Sequence, residues 1–455
     1  MYVEVRTALV DQLVSILDAK YVLTDRSILR TYEADWTGRF IGTAEVVAVP
    51  GCVDEVANVL AACHAAARPV VLRGGGTGLV GGSVPEAGSV VLDLRRLVDL
   101  SVDSDSRLAT AGAGVTLANL SSVARHHGLD YAIDLASRSS ATVGGTIATN
   151  AGGLRVLRHG DTRAQVVGIE AVLADGSVVS HLPGVTRDNT GYHLPSLLCG
   201  SEGTLAVITK AQLRLISRSN STAVALVAFG SAASAARAAW SVAREPQTTA
   251  VELIQRQGLD LVCRATGLPT PFTPLPHSVL LIEVASESPE DALHRLVQPL
   301  PGVVDAAVAL DIDSANRLWA YRDRHTESIA TLGTAHKLDV TLPASTLVQF
   351  LDGVTEAVLR VAPGAAVWLF GHIADGNVHV NITGVAPDDD SVDDAVLQQV
   401  AELGGSISTE HGIGRAKLRW LALSRTPTEL QLFRTIKAAF DPQNLLNPGV
   451  LLAKS

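Results

Sequence analysis

Three observations predict an α+β protein. From Ala44 onward, short runs rich in Val, Ile and Leu alternate with stretches of helical periodicity. Glycine-dense turns follow directly on the apolar runs. Beyond Arg214 the pattern changes to longer strands and longer amphipathic helices.

In chain order, residues 4–20 carry Val10, Leu13, Val14 and Leu17 at helical spacing, so an N-terminal helical segment is expected over 1–41. Strands follow at 46–49, 69–72, 89–94 and 109–112, with helices at 53–66 and 116–127. Residues 141–153, crowded with Gly, Ala, Thr and Asn, read as a loop. Residues 166–174 and 177–180 read as a hairpin across Asp175-Gly176. The polar, aperiodic stretch Ser217–Ser221 marks a boundary, giving one domain over 42–219 and another over 220–455. In the second domain strands are expected at 224–229 and 279–285, and helices at 232–244 and 289–298. A closing helix is expected at 427–440.

A chain of 455 residues, 47% hydrophobic and 18% charged, has enough apolar material for two or three cores. A net charge of −10 argues against nucleic acid or an anionic membrane as the main partner, so an anionic substrate would need a local Arg or Lys cluster. Cys52, Cys63, Cys199 and Cys263 form no CxxC or disulfide framework, which fits a reducing, cytoplasmic compartment. Glu4, Asp11 and Asp18 make the N-terminus unlike a secretory or transit peptide, and no apolar run approaches the ~20 residues of a membrane span.

The stretch Gly371-His-Ile-Ala-Asp-Gly-Asn-Val-His-Val-Asn381 carries the sharpest chemical signal. Asp375-Gly376 suits a two-residue type I′ turn, which would pair 374 with 377, 373 with 378 and His372 with His379. Directly opposed residues have Cβ atoms about 4.5–5.5 Å apart, close enough for two imidazoles to share a metal ion. Asn381 falls on the same face. Glu410-His411 adds a carboxylate and a third imidazole, and two His with one Glu suit a catalytic zinc. Taken alone, the two histidines would read as a solvated surface hairpin.

Three glycine-rich segments lie within the first domain. Arg73-Gly-Gly-Gly-Thr-Gly-Leu-Val-Gly-Gly-Ser83 follows an apolar strand, and its six glycines let backbone N–H groups approach an anion. Its G-x-G-x-x-G match points only weakly to NAD(P), because a strand follows where a Rossmann unit needs a helix. Thr142–Gly153 and Cys199–Leu205 are likewise poor in packing side chains, so one extended, pyrophosphate-bearing cofactor is the economical reading.

These motifs resemble the flavoproteins of the vanillyl-alcohol oxidase / p-cresol methylhydroxylase superfamily, and within it the D-2-hydroxyglutarate and D-lactate dehydrogenases. The resemblance extends from Val46–Pro50 to Leu446–Gly449. It implies a PCMH-type FAD-binding domain of two α/β subdomains, plus a C-terminal substrate domain with an antiparallel sheet flanked by helices. Roughly the last 25 residues of that domain would return to the flavin. It implies FAD held by Pro50, by Arg73, Gly74, Gly75, Gly76, Thr77, Gly78, Gly81, Gly82 and Ser83, and by Ser137. Also implied are Thr142, Gly144, Gly145, Ala148, Asn150, Gly152, Gly153, Val167, Glu202, Gly203 and Asn447. The first loop holds neither His nor Cys, so FAD is expected to be noncovalent. Ala136-Ser137-Arg138 departs from the family's commoner Gly-Ala-Lys.

Asn316–Ser328 is helical by pattern, with Trp319, Arg322 and Thr326 on one stripe, and Lys337, one of six lysines, opens a strand beyond it. An exposed charged helix face is the plain alternative. The resemblance gives Arg322, Thr326 and Lys337 as the grip on the substrate carboxylate, and His372, His379 and Glu410 as ligands to Zn2+ or Mn2+. It places Asn381 and His411 on the substrate, with His411 as general base. The expected reaction is oxidation of (R)-2-hydroxyglutarate to 2-oxoglutarate, the hydride going to flavin N5. D-lactate, glycolate or another D-2-hydroxy acid is the alternative substrate, and a non-catalytic metal-binding protein the remote one. A quinone, an electron-transfer flavoprotein or O2 would serve as acceptor, and a homodimer fits the family.

Overall fold

The computed structural model describes residues 2–185, 187–218 and 221–453, with side chains from residue 8 onward. The Glu4 side chain, and Ser219 and Asn220 of the polar break, lie outside the described residues. The chain forms two compact units that do not follow chain order. The first comprises Met1–Gly153, Gly160–Arg218 and Glu410–Ser455; the second comprises Leu154–His159 and Ser219–Thr409.

The first unit contains two sheets. In one, β1 (Val22–Leu23), β2 (Ala44–Ala48), β3 (Val70–Arg73) and β4 (Ser89–Asp93) are ordered β1-β2-β4-β3. β2, β4 and β3 run parallel; β2 connects to β3 through the helix Val53–Ala65, and β3 to β4 through the glycine-rich loop. Val46, Val90 and Leu92 pack beneath that helix with Val56, Val59 and Leu60. At the free edge of β3, Val70 bridges Leu446, which brings the C-terminal segment onto this sheet.

The other sheet is antiparallel. Its strands are β5 (Leu100–Asp103), β6 (Leu108–Gly112), β7 (Leu129–Tyr131), β8 (Val166–Val172), β9 (Val178–His181) and β10 (Val207–Ser217). They are ordered β5-β6-β10-β8-β9, with β7 also on β10. The expected hairpin is β8–β9, paired from Ile169↔His181 to Val172↔Val178.

One expectation fails here. Residues 141–153 are not all loop: Val143–Thr149 is a helix, capped by the Thr142 side chain and ended by Asn150 in the left-handed region. Its glycines serve close packing, since a Cβ on Gly144 would lie 2.7 Å from Ala113 Cβ.

The second unit is built on one seven-stranded antiparallel sheet. Its strands are β11 (Thr222–Phe229), β12 (Thr248–Gln255), β13 (Ser278–Ala285), β14 (Val303–Ala309), β15 (His336–Thr341), β16 (Ala366–Gly371) and β17 (Asn377–Thr383). The order is β14-β11-β13-β12-β16-β17-β15. The helices Ala232–Ala243 and Leu347–Val361 each bury an apolar stripe. The helix expected over 316–328 breaks at Arg324 into Ile312–Asp323 and His325–Ala330, so Thr326 is not on a continuous stripe with Trp319 and Arg322.

The β16–β17 hairpin departs from expectation in register. Phe370, not His372, pairs with His379. Asp375 lies in a 3-10 turn over Ile373–Asp375 and only Gly376 has positive φ, whereas a type I′ turn needs it at both central residues. Gly371 ends β16 at φ +152, where a Cβ would come within 2.7 Å of Asn377 O. The connection is therefore longer, and His372 stands beyond the strand end.

Candidate active site

Within the first unit the three glycine segments and two C-terminal stretches are tied together by a few buried side chains. Asn447 accepts from Leu72 N at 3.0 Å and donates to Glu202 O at 2.7 Å and Gly82 O at 3.4 Å. Its side chain thus joins the end of β3 to the first and third glycine segments. Arg73 donates to Ser83 Oγ at 3.1 Å, closing the first glycine loop at its neck. Ser137 O accepts from Ala141 N, Glu202 N reaches Ala148 O, and Asn150 bonds Asp161 Oδ2 and Arg163 N. Pro50 is buried and Thr77 half-buried at the loop.

The glycines divide by what surrounds them. A Cβ on Gly74 would meet Thr142 Oγ1 at 2.6 Å and one on Gly75 would meet Ser140 O at 1.8 Å, while Gly76, Gly81, Gly153 and Gly203 have positive φ. Gly78 has neither constraint: nothing lies within 4 Å of its added Cβ and its φ is ordinary. Packing and backbone conformation do not call for glycine there, and the open space leaves the loop backbone accessible. Val167 is the extra residue of a β-bulge, because β10 pairs Gln212 with Gly168 but Leu213 with Val166. These features fit an extended cofactor laid on exposed backbone.

The Glu202 side chain reaches a loop of the C-terminal segment. Its carboxylate is 8% exposed by residue and accepts from Ile413 N at 2.8 Å and Gly414 N at 2.7 Å. Burial raises its pKa, against the opposing pull of those two amides and of Lys417. Glu202 therefore clamps the loop that begins with Glu410 and His411. Glu410 is itself held, its Oε1 accepting from Gly153 N at 2.7 Å. His411 is half-buried beside it.

Within the second unit Lys337, Asn381, His379, His372 and Arg322 gather at one face of the sheet. β15 and β17 oppose Lys337 to Asn381 and Asp339 to His379, and β16 adds Phe370 opposite His379. Opposed residues share a face, so Lys337, Asp339, His379, Asn381 and Phe370 form one surface. Lys337 Nζ lies 3.4 Å from Asn381 Oδ1, and burial pulls its pKa down to about 8. His372, although outside the ladder, has its ring 5.4 Å from that of His379. The ligating atoms of the two imidazoles lie within 4.8 Å of one another.

Each imidazole also has its Nδ1 against a buried carboxylate. His372 Nδ1 is 2.5 Å from Glu252 Oε1, and His379 Nδ1 is 3.4 Å from Asp339 Oδ1. For His372 this is the carboxylate–imidazole hydrogen bond that commonly supports a metal-binding histidine and leaves Nε2 as its ligand atom, whereas His379 and Asp339 stand at an ion-pair distance. The donor set fits a divalent cation. Asp339 is fixed in turn by Asn377 Nδ2 at 2.6 Å and Thr409 N at 3.1 Å.

Arg322 is 7% exposed, its Nε 2.6 Å from Glu252 Oε2 and its guanidinium 4.7 Å from the Phe370 ring centroid. Trp319 donates to Glu283 at 3.1 Å, and Thr326 is half-buried in the following short helix. Glu252 and Asp339 were not anticipated. The one carboxylate in the apolar run Ala250–Ile254, and Asp339 two residues from Lys337, were the signals available.

A family described as FAD binding domain matches residues 44–181, and FAD linked oxidases, C-terminal domain, matches 218–451. The mitochondrial D-2-hydroxyglutarate dehydrogenase of Bos taurus is 36% identical, over 95% of this chain and 81% of its own length. The D-2-hydroxyglutarate dehydrogenase of Xanthomonas citri pv. viticola is also 36% identical, over 94% and 93%. A D-lactate dehydrogenase of Archaeoglobus fulgidus is 35% identical, over 90% and 91%. The solved structure of p-cresol methylhydroxylase with substrate bound superposes with TM-score 0.79 at 16% identity, covering 98% of this chain and 96% of that one. Among the described residues no helix is long and apolar enough to cross a membrane. The chain belongs to the FAD-linked oxidases, with a PCMH-type FAD-binding domain and the family's C-terminal domain, and is an FAD-linked oxidoreductase.

Proposed function

We propose that this protein oxidises (R)-2-hydroxyglutarate to 2-oxoglutarate, using noncovalent FAD and a divalent cation, Zn2+ or Mn2+. The observation that carries this reading is the shared face on which the opposed pair Lys337 and Asn381 lies two residues along the strands from the opposed pair Asp339 and His379. When bound, FAD accepts the C2 hydride and the cation serves as Lewis acid toward the substrate hydroxyl. His372, His379 and Glu410 hold the cation. Glu410 is the chain neighbour of Thr409, whose N–H is bound by Asp339, and this supports its place in the set. His411 takes the hydroxyl proton on its imidazole, the group most often used as a general base.

Arg322, Thr326 and Lys337 bind the distal carboxylate, and Asn381 orients the hydroxy-acid end. Because the Nε of Arg322 is committed to Glu252, Lys337 carries much of the discrimination between a dicarboxylate and a monocarboxylate. The relatives named D-2-hydroxyglutarate dehydrogenase favour this substrate. The 35% identical D-lactate dehydrogenase supports a second reading, the same chemistry on D-lactate.

The deciding experiment compares (R)-2-hydroxyglutarate, D-lactate and glycolate as substrates with a dye acceptor. A clear preference for the dicarboxylate, lost on Lys337→Ala, is expected. Equal or higher kcat/KM on D-lactate, unaffected by Lys337→Ala, overturns the assignment.

A further inference from the structure

Strand β12 is buried from Ala250 to Ile254, and Glu252 is the only charge in that run. Its carboxylate is 1% exposed, with one oxygen on His372 Nδ1 at 2.5 Å and the other on Arg322 Nε at 2.6 Å. Its position follows from the sheet. β12 pairs Leu253 with Gly371 and Ile254 with Phe370, so continuing the ladder sets Glu252 opposite His372.

Stability alone is a poor reason for this arrangement. A buried ion pair gains little over well-packed apolar side chains of the same volume, because desolvation offsets the attraction. An apolar residue in β12 would close the core equally well. What a carboxylate adds is direction: one oxygen selects the Nδ1–H tautomer of His372 and orients its ring, while the other fixes the Nε edge of Arg322.

We propose that Glu252 is a positioning residue that sets His372 for metal binding and Arg322 for anion binding, making the two halves of the site one linked unit. This rests on the reading of His372 as a metal ligand. The residue touches neither the substrate nor the flavin in this scheme and acts only through its two partners.

The test uses flavin-loaded wild type, Glu252→Gln, His372→Ala and the double variant. Zn2+ affinity is measured against a chromophoric chelator, and 2-oxoglutarate affinity by perturbation of the flavin spectrum. Glu252→Gln is expected to weaken Zn2+ binding about 10- to 100-fold while leaving flavin content intact. In the His372→Ala background the same change should weaken Zn2+ binding no further, because the two residues act as a unit. 2-Oxoglutarate binding should weaken as well, through Arg322. If Glu252→Gln does not fold, Glu252→Met, an apolar side chain of similar length, takes its place in the same measurements.

Unchanged Zn2+ affinity in a folded Glu252 variant, or losses that add to those of His372→Ala, overturn the inference alone. Failure of the wild type to take up Zn2+ overturns the metal reading and the inference with it.

Discussion

Replacing Lys337 by methionine should stabilise the protein at neutral pH while weakening its grip on a dicarboxylate. Burial takes the Lys337 ammonium from 10.5 to about 8 in the folded chain. That fall corresponds to at most about 3 kcal/mol of folding free energy lost to desolvation of the charge, a ceiling that solvent at this partly exposed side chain lowers. The sign follows from proton binding. Between about 8 and 10.5 the unfolded chain holds the proton that the folded chain has released, so wild-type stability rises with pH through that window. Below it the full cost is present. Methionine is of similar length and carries no charge, so its advantage should be greatest at pH 7 and fade toward pH 10.

Urea unfolding of both proteins at the two pH values measures this directly. In parallel, kcat/KM for (R)-2-hydroxyglutarate should fall about 10- to 100-fold, the size of one charge-assisted hydrogen bond, with D-lactate much less affected. A variant less stable than wild type at pH 7, or a difference that does not change with pH, would refute the reasoning.

His411→Ala should slow flavin bleaching by substrate about 10²- to 10⁴-fold with flavin content unchanged, as stopped-flow absorbance would show. The two glycines Gly78 and Gly75 should separate ligand binding from packing. Gly78→Ala, whose Cβ meets nothing within 4 Å, should leave the thermal midpoint of the flavin-free protein unchanged and weaken FAD binding in a titration. Gly75→Ala, whose Cβ would fall 1.8 Å from Ser140 O, should lower that midpoint.

The parts of the fold legible from the chain are those set by local chemistry. Val70–Arg73 and Ser89–Asp93 are apolar runs closed by turns. The helix Pro427–Phe440 has proline in its first turn and a Thr426–Glu429 capping box, and its ends match those expected. What was not legible depended on neighbours distant in sequence. The glycines of Thr142–Gly153 look like loop residues until Ala113 is seen against Gly144. Asp375-Gly376 looks like a two-residue turn until Gly371 is found closing β16 early.

The candidate site shows the same division. His372 and His379 were visible as residues, and their rings do meet, but in a register other than the one their spacing suggested. Their carboxylate partners come from β12 and β15, and pairing between strands so far apart in the chain has no local signature. Glu202 and Asn447 were read as cofactor contacts from their motifs. Only the fold shows their side chains bound to other backbone segments.

The most direct test mixes (R)-2-hydroxyglutarate anaerobically with flavin-loaded protein and follows the flavin absorbance, with the divalent cation present, stripped by chelator, and restored. Bleaching should occur with the cation, cease on stripping and return with added Zn2+ or Mn2+, the flavin staying bound throughout. Bleaching at the same rate in the stripped protein would contradict the account.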